Sequence, residues 1–177
     1  MQTNLYTSTI PPMKKSIEAL LAILDTAQTH AASKATERRP AAYFEEALLQ
    51  DRLIFDQFPL LMQVQRVSDS AKNGAARLAG ITPPVFEDTE KTFPELKARL
   101  EKTIAFLDSI APDQVQDDAR KVSSPYWGTK HLTASEYATL NLMPNFYFHY
   151  TTAYSILRKN GVDVGKEAYM GPLPLKD

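Results

Sequence analysis

The chain has 177 residues, 20 Lys and Arg against 21 Asp and Glu, and no cysteine. That length supports one domain with a substantial core. The near balance of charge argues against general attraction to nucleic acid or an anionic membrane, and the lack of cysteine excludes disulfides, thiolate metal ligands and a cysteine nucleophile. The N-terminus lacks the basic-then-apolar order of a signal peptide, and the best apolar run, Ile17 to Leu24, contains Glu18 and ends at Asp25. A cytoplasmic protein is therefore expected, with no membrane and no nucleic-acid partner.

The first helix is predicted from about Pro11 to Ala32, with Thr9 near the cap and both prolines in the first turn. Ile17, Leu20, Leu21 and Leu24 form its apolar stripe, preceded by Met13 and followed by Ala27 and Ala31. Lys34 to Pro40 reads as a loop, and a shorter helix is expected over Ala42 to Gln50. The second long helix is placed at Gln57 to Ala79, with Pro59 in its first turn and Gly80 as its stop. Leu60, Val64, Val67, Ala71, Gly74 or Ala75, and Leu78 face the core, several of them small enough for another helix to come close. Arg66, Asp69, Asn73 and Arg77 fall on a polar side that reads as solvated.

Ile81 to Thr92, with two prolines and the acidic residues Glu87, Asp88 and Glu90, is read as a surface loop. Thr92 and Glu95 make a capping box for a third long helix, whose face carries Phe93, Leu96, Leu100, Thr103 and Leu107. After Pro112 the pattern is irregular, with a small hairpin expected over Val122 to Leu132 around Trp127-Gly128. A second capping box, Thr133 with Glu136, opens a short helix to Leu142, and Pro144 is expected to kink the chain into a last helix. There Phe146, Tyr150, Ala153 and Leu157 make the buried stripe, Asn145 and His149 form a polar row at its edge, and Gly161 follows the end. The tail after Gly165 is read as extended. Four long amphipathic segments without a convincing sheet predict an all-α bundle.

No complete catalytic motif is present. The histidines His30, His131 and His149 are far apart, and none belongs to an HExxH pair. GVDVGK, residues 161–166, lacks the strand and the Ser or Thr of a phosphate loop and reads as a helix stop. Glu87, Asp88 and Glu90 are taken as a solvated cluster rather than a cation site, and no serine stands in a GxSxG or Ser-x-x-Lys context. His149 stands apart because it shares a row with Asn145 beside the core; a buried, hydrogen-bonded histidine and a catalytic one are both open at this point.

LRKNGV at 157–162, following a helix that contains His149, resembles the last helix of the DinB-like superfamily of bacterial four-helix-bundle proteins. The blocks FDQFPLLMQVQRVSDSAKNGAARLAG, FEDTEKTFPELKARLEKTIAFL and PNFYFHYTTAYSILRKNGVDVGK resemble one bacterial branch catalogued only as a domain of unknown function. The resemblance implies a four-helix bundle, here with a short extra helix and irregular loops, and a homodimer. Many such proteins bind a divalent metal through one histidine on the second helix and two on the last, spaced by four, and some are thiol-dependent transferases or isomerases. His149 matches the second histidine of the last helix, Asn145 stands where the first would be, and the second-helix histidine would fall between Gln63 and Arg66, where none occurs. One imidazole with neutral amides is a weak donor set for zinc or nickel, so no metal and no cofactor is expected. Three readings follow: a protein that binds a small ligand in a pocket formed by His149, Asn145 and Gln63; a transferase or isomerase using His149 as metal ligand or general base; and a non-catalytic homodimeric interaction protein.

Overall fold

A computed structural model describes residues 4–176. Its long helices are α1 (Leu5–Ser33), α3 (Leu60–Ala79), α4 (Phe93–Asp108) and α6 (Met143–Lys159), with a shorter α2 (Ala41–Gln50) between the first two. Helix α3 packs against α4 and α6, and α1 closes the ring against the same two helices. The apolar stripes read from the sequence meet in the middle: Ile17, Leu20 and Leu24, Leu60, Val64 and Val67, Leu96 and Leu100, and Phe146, Tyr150 and Leu157 are all fully buried. Each such aliphatic or aromatic side chain contributes about 1.5–3 kcal/mol on leaving water, which makes this seam the main source of stability.

Helix α1 begins six residues earlier than predicted. Asn4 caps it, its side chain accepting from Thr7 N–H while the Thr7 hydroxyl accepts from Asn4 N–H, and Pro11 and Pro12 lie inside the helix rather than in its first turn. Helix α3 starts later than predicted, with Pro59 as its N-cap, because residues 51–59 turn back instead: Leu60 N–H donates to Asp51 O and the Arg52 guanidinium to Gln57 O. Gly80 ends α3 in the left-handed conformation, φ 69°, and the Arg120 guanidinium fills the space where a Cβ would project.

The capping box at Thr92 and Glu95 and the one at Thr133 and Glu136 are both present. The hairpin also forms, as two strands of three residues each, β1 (Lys121–Ser123) and β2 (His131–Thr133), with Val122 opposite Leu132. From there the chain runs through α5 (Ala134–Tyr137), a π-turn (Ala138–Leu142) and α6 without leaving helical backbone. Just before Pro144, where a kink was expected, Met143 N–H reaches back five residues to Ala138 O, a wider turn that accommodates the proline just beyond it. The tail is not extended throughout. Residues Lys166–Met170 form a short helix, α7, whose Tyr169 ring stacks on Tyr150 at 4.4 Å and whose Met170 O accepts from Lys15 Nζ at 2.6 Å.

Candidate functional site

Helix α3 presents Arg66, Ser70, Asn73 and Arg77 at helical spacing, and the run from α5 to α6 presents Asn141, Asn145 and His149 four residues apart. The two helices come close because Gly74 faces Leu142: a Cβ on Gly74 would lie 2.2 Å from Leu142 Cδ1. The polar rows therefore form two walls of a cleft of about 370 Å³. The hairpin supplies the end wall, with Ser124, Tyr126 and Trp127, and Trp127 packs edge-on to Tyr137 at 6.2 Å. The row Arg66 to Arg77, read from the sequence as merely solvated, is thus one side of a built depression.

Of the residues singled out by sequence, His149 and Asn145 line this cleft, while Gln63 lies beneath it and is fully buried. Gln63 Oε1 and His149 Nδ1 are 2.7 Å apart, and Gln63 Nε2 donates to Phe58 O at 3.2 Å. The carbonyl fixes the amide, since only its NH₂ end donates. Oε1 must then accept, so Nδ1 of a neutral His149 carries the proton and Nε2 carries the lone pair. Burial, with the positive charge of Arg66 nearby, holds the imidazole below its ordinary pKa and favours that neutral form. No described residue hydrogen-bonds to Nε2. Asn145 does not join this pair; its amide donates to Ser70 Oγ at 2.8 Å, bridging the two walls.

The cations of the cleft differ in how they are balanced. Arg66 pairs with Asp69 at 3.2 Å and with Asp88. Arg77 donates to the Tyr137 hydroxyl at 3.1 Å and lies over the same ring at 5.9 Å, but has no carboxylate partner among the described residues. His30 and His131 lie outside the cleft. Among the described residues no group of three or more His, Cys, Asp or Glu is placed to hold a metal ion.

Sequence reasoning missed Arg99, which lies behind Asp69. Arg99 is 2% exposed and donates to Asp69 at 2.8 Å, to both oxygens of Glu90, to Ser68 Oγ and to Glu87 O, while Asp88 lies 3.0 Å away. Burial opposes its charge, but the bond to Glu90 and the charges of Asp69, Glu90 and Asp88 outweigh it and hold the guanidinium above its ordinary pKa. The acidic cluster of the 81–92 loop is therefore divided: Glu87 and Asp88 remain exposed, Asp88 pairing with Arg66 and Arg99, while Glu90 is drawn in against Arg99. Its signal was available in sequence, because position 99 shares the buried stripe of Leu96, Leu100 and Thr103.

No helix among the described residues is long and apolar enough to cross a membrane. No curated protein of known role matches the chain in sequence. The crystal structure of a DinB family member protein from Shewanella denitrificans superposes with a TM-score of 0.90 at 39% identity, covering 98% of this chain and 95% of that one. The family model of the domain of unknown function DUF1993 matches residues 5–170, and the chain accordingly belongs to that family, a branch of the DinB-like all-α bundles.

Proposed function

We propose that this protein binds a small organic ligand in the α3–α6 cleft and does not use the three-histidine metal site implied by its superfamily. The observation that carries the reading is the Gln63–His149 bond at 2.7 Å, which commits Nδ1 and leaves Nε2 as an acceptor on a residue lining the cleft. Three donors would be needed for a metal at this place, and the first is a single imidazole nitrogen. The other two positions offer neutral amides: Gln63, engaged at both ends with His149 and Phe58, and Asn145, whose NH₂ is held by Ser70. Neutral amides do not supply the charge or softness that zinc or nickel requires, so the donor set does not fit. Metal analysis of protein purified without chelator tests this directly: substoichiometric metal is expected, and one equivalent of a transition metal overturns the reading.

A second reading, catalysis with His149 as general base, is favoured by the same free Nε2 and by the lowered pKa that keeps it unprotonated. A homodimer, expected from the family resemblance, gains support from the 51–59 turn, where Phe55 is 91% exposed beside the exposed Leu53, Ile54 and Phe58. Sedimentation of the native protein and of Phe55→Asp tests it: the native chain should run as a dimer and the variant as a monomer.

A further inference from the structure

We propose that the cleft selects a planar, monoanionic ligand, an aromatic carboxylate bearing a hydrogen-bond donor at its far end, with Arg77 as the anchor of the carboxylate. This rests on the reading of the cleft as a ligand site and names the class of ligand.

The cleft has polarity along its length. Arg77, Tyr137 and Asn141 lie toward one end and Arg66 and His149 toward the other, since the antiparallel walls meet at Gly74 and Leu142, at Ser70 and Asn145, and at Gln63 and His149. Asn141 and His149, eight residues apart on one wall, are separated by about 12 Å of helix rise. At the first end the guanidinium of Arg77 is held by the Tyr137 hydroxyl and has no carboxylate partner among the described residues. A cation fixed in place but electrostatically unbalanced favours an anion, and the planar fork of a guanidinium matches a carboxylate through two parallel N–H···O bonds.

The anion is single. Arg66, the other cation lining the cleft, is already shared between Asp69 and Asp88, and Asp69 itself lines the same depression. A doubly charged phosphate would find one free positive charge and would face the Asp69 carboxylate. At the second end His149 Nε2 is an acceptor, so it favours an N–H or O–H of the ligand and disfavours a second anionic group. Beside Tyr137, at the Arg77 end, Trp127 supplies an aromatic wall and Tyr126, 94% exposed, stands next to it with its ring uncovered. Flat apolar faces of this kind favour a conjugated ring over a flexible chain.

Trp127 is the sole tryptophan of the sequence, so its indole N–H gives one nuclear resonance that reports from inside the site. The test titrates the native chain with 4-hydroxycinnamate and with its uncharged amide. Saturable movement of the indole signal by the carboxylate at millimolar concentration is expected, with at least tenfold weaker response to the amide. Arg77→Gln, checked for an unchanged melting curve, should weaken the carboxylate at least tenfold and leave the amide unaffected. Equal binding of acid and amide by the native protein overturns the anion assignment while leaving a ligand cleft standing. If neither probe moves the indole or the backbone signals of the cleft walls, both the class assignment and the ligand reading fall. The comparison of acid with amide needs no variant, so it stands even where Arg77→Gln melts early.

Discussion

The two polar assemblies beside α3 end in opposite conditions. Toward α4, Arg99, Arg66 and Lys72 are matched by Asp69, Asp88 and Glu90, and Phe86 lies under Lys72 and Arg99 at 4.4 and 5.7 Å. Toward α6, the Arg77 charge and the His149 lone pair are left without equals among the described residues. Asp69 belongs to both, pairing with Arg99 behind it and lining the cleft in front. A closed network ties the 81–92 loop down, whereas an open one has capacity for something not part of the chain; Asp88 and Glu90 close the first, and among the described residues the cleft has no carboxylate beyond the shared Asp69.

Removing the hub of the closed side should have the largest effect. Arg99→Ala leaves Asp69 and Glu90 without their main cation, and should cost about 3–5 kcal/mol in a urea titration, the range for breaking one partner out of a buried ion pair. A loss under about 1 kcal/mol would mean that water already satisfies those carboxylates.

The geometry of the open side depends on the α3–α6 approach. Gly74→Ala drives a methyl group against Leu142 and should cost about 1–3 kcal/mol, as overpacking does. Leu142→Ala in the same chain should recover part of that loss, and strict additivity of the two changes would show that the contact is not the cause.

A smaller effect is expected at His149. His149→Leu strands the buried Gln63 Oε1 and should cost about 1–2 kcal/mol, the usual penalty for an orphaned acceptor. The same residue gives the open side a pH signature. Its pKa is lowered on folding, so the stabilisation is fully present above the ordinary imidazole value of 6.5 and is lost as pH falls from there toward the folded value, because the unfolded state takes up the proton first. Native protein should therefore lose melting temperature on acidification below that point faster than His149→Leu, whose carboxylates titrate alike. Parallel profiles for the two would refute the lowered imidazole pKa.

Much of this was legible in the sequence because its causes are local. The core faces of α3, α4 and α6 follow from apolar spacing, and Thr92 with Glu95 marks a helix start from side chains three residues apart. What failed to show has non-local or competing causes. Pro11 and Pro12 suggested a helix beginning there, but the Asn4 cap and the burial of Leu5 and Ile10 carry α1 back past them. Helix α7 is too short to have a period of its own and exists through its contacts with Tyr150 and Lys15. The pairing of Arg99 with Asp69 joins residues thirty apart, and no spacing rule connects them. Within the candidate site, the sequence grouped Gln63, Asn145 and His149, whereas the fold joins His149 to Gln63 and sends Asn145 across to Ser70.

The clasp of α7 also bears on the order in which the protein takes shape. Tyr150 is fully buried, its hydroxyl donates to Tyr169 O at 2.7 Å, and burial pushes its phenol pKa up. During synthesis the four long helices emerge before residues 166–170, so a nascent chain lacks the cover for that hydroxyl until α7 has left the ribosome. Final locking of the bundle is thereby deferred to the stretch that follows its last long helix, and a chain halted before Gly165 would carry a wetted tyrosine at the edge of its core.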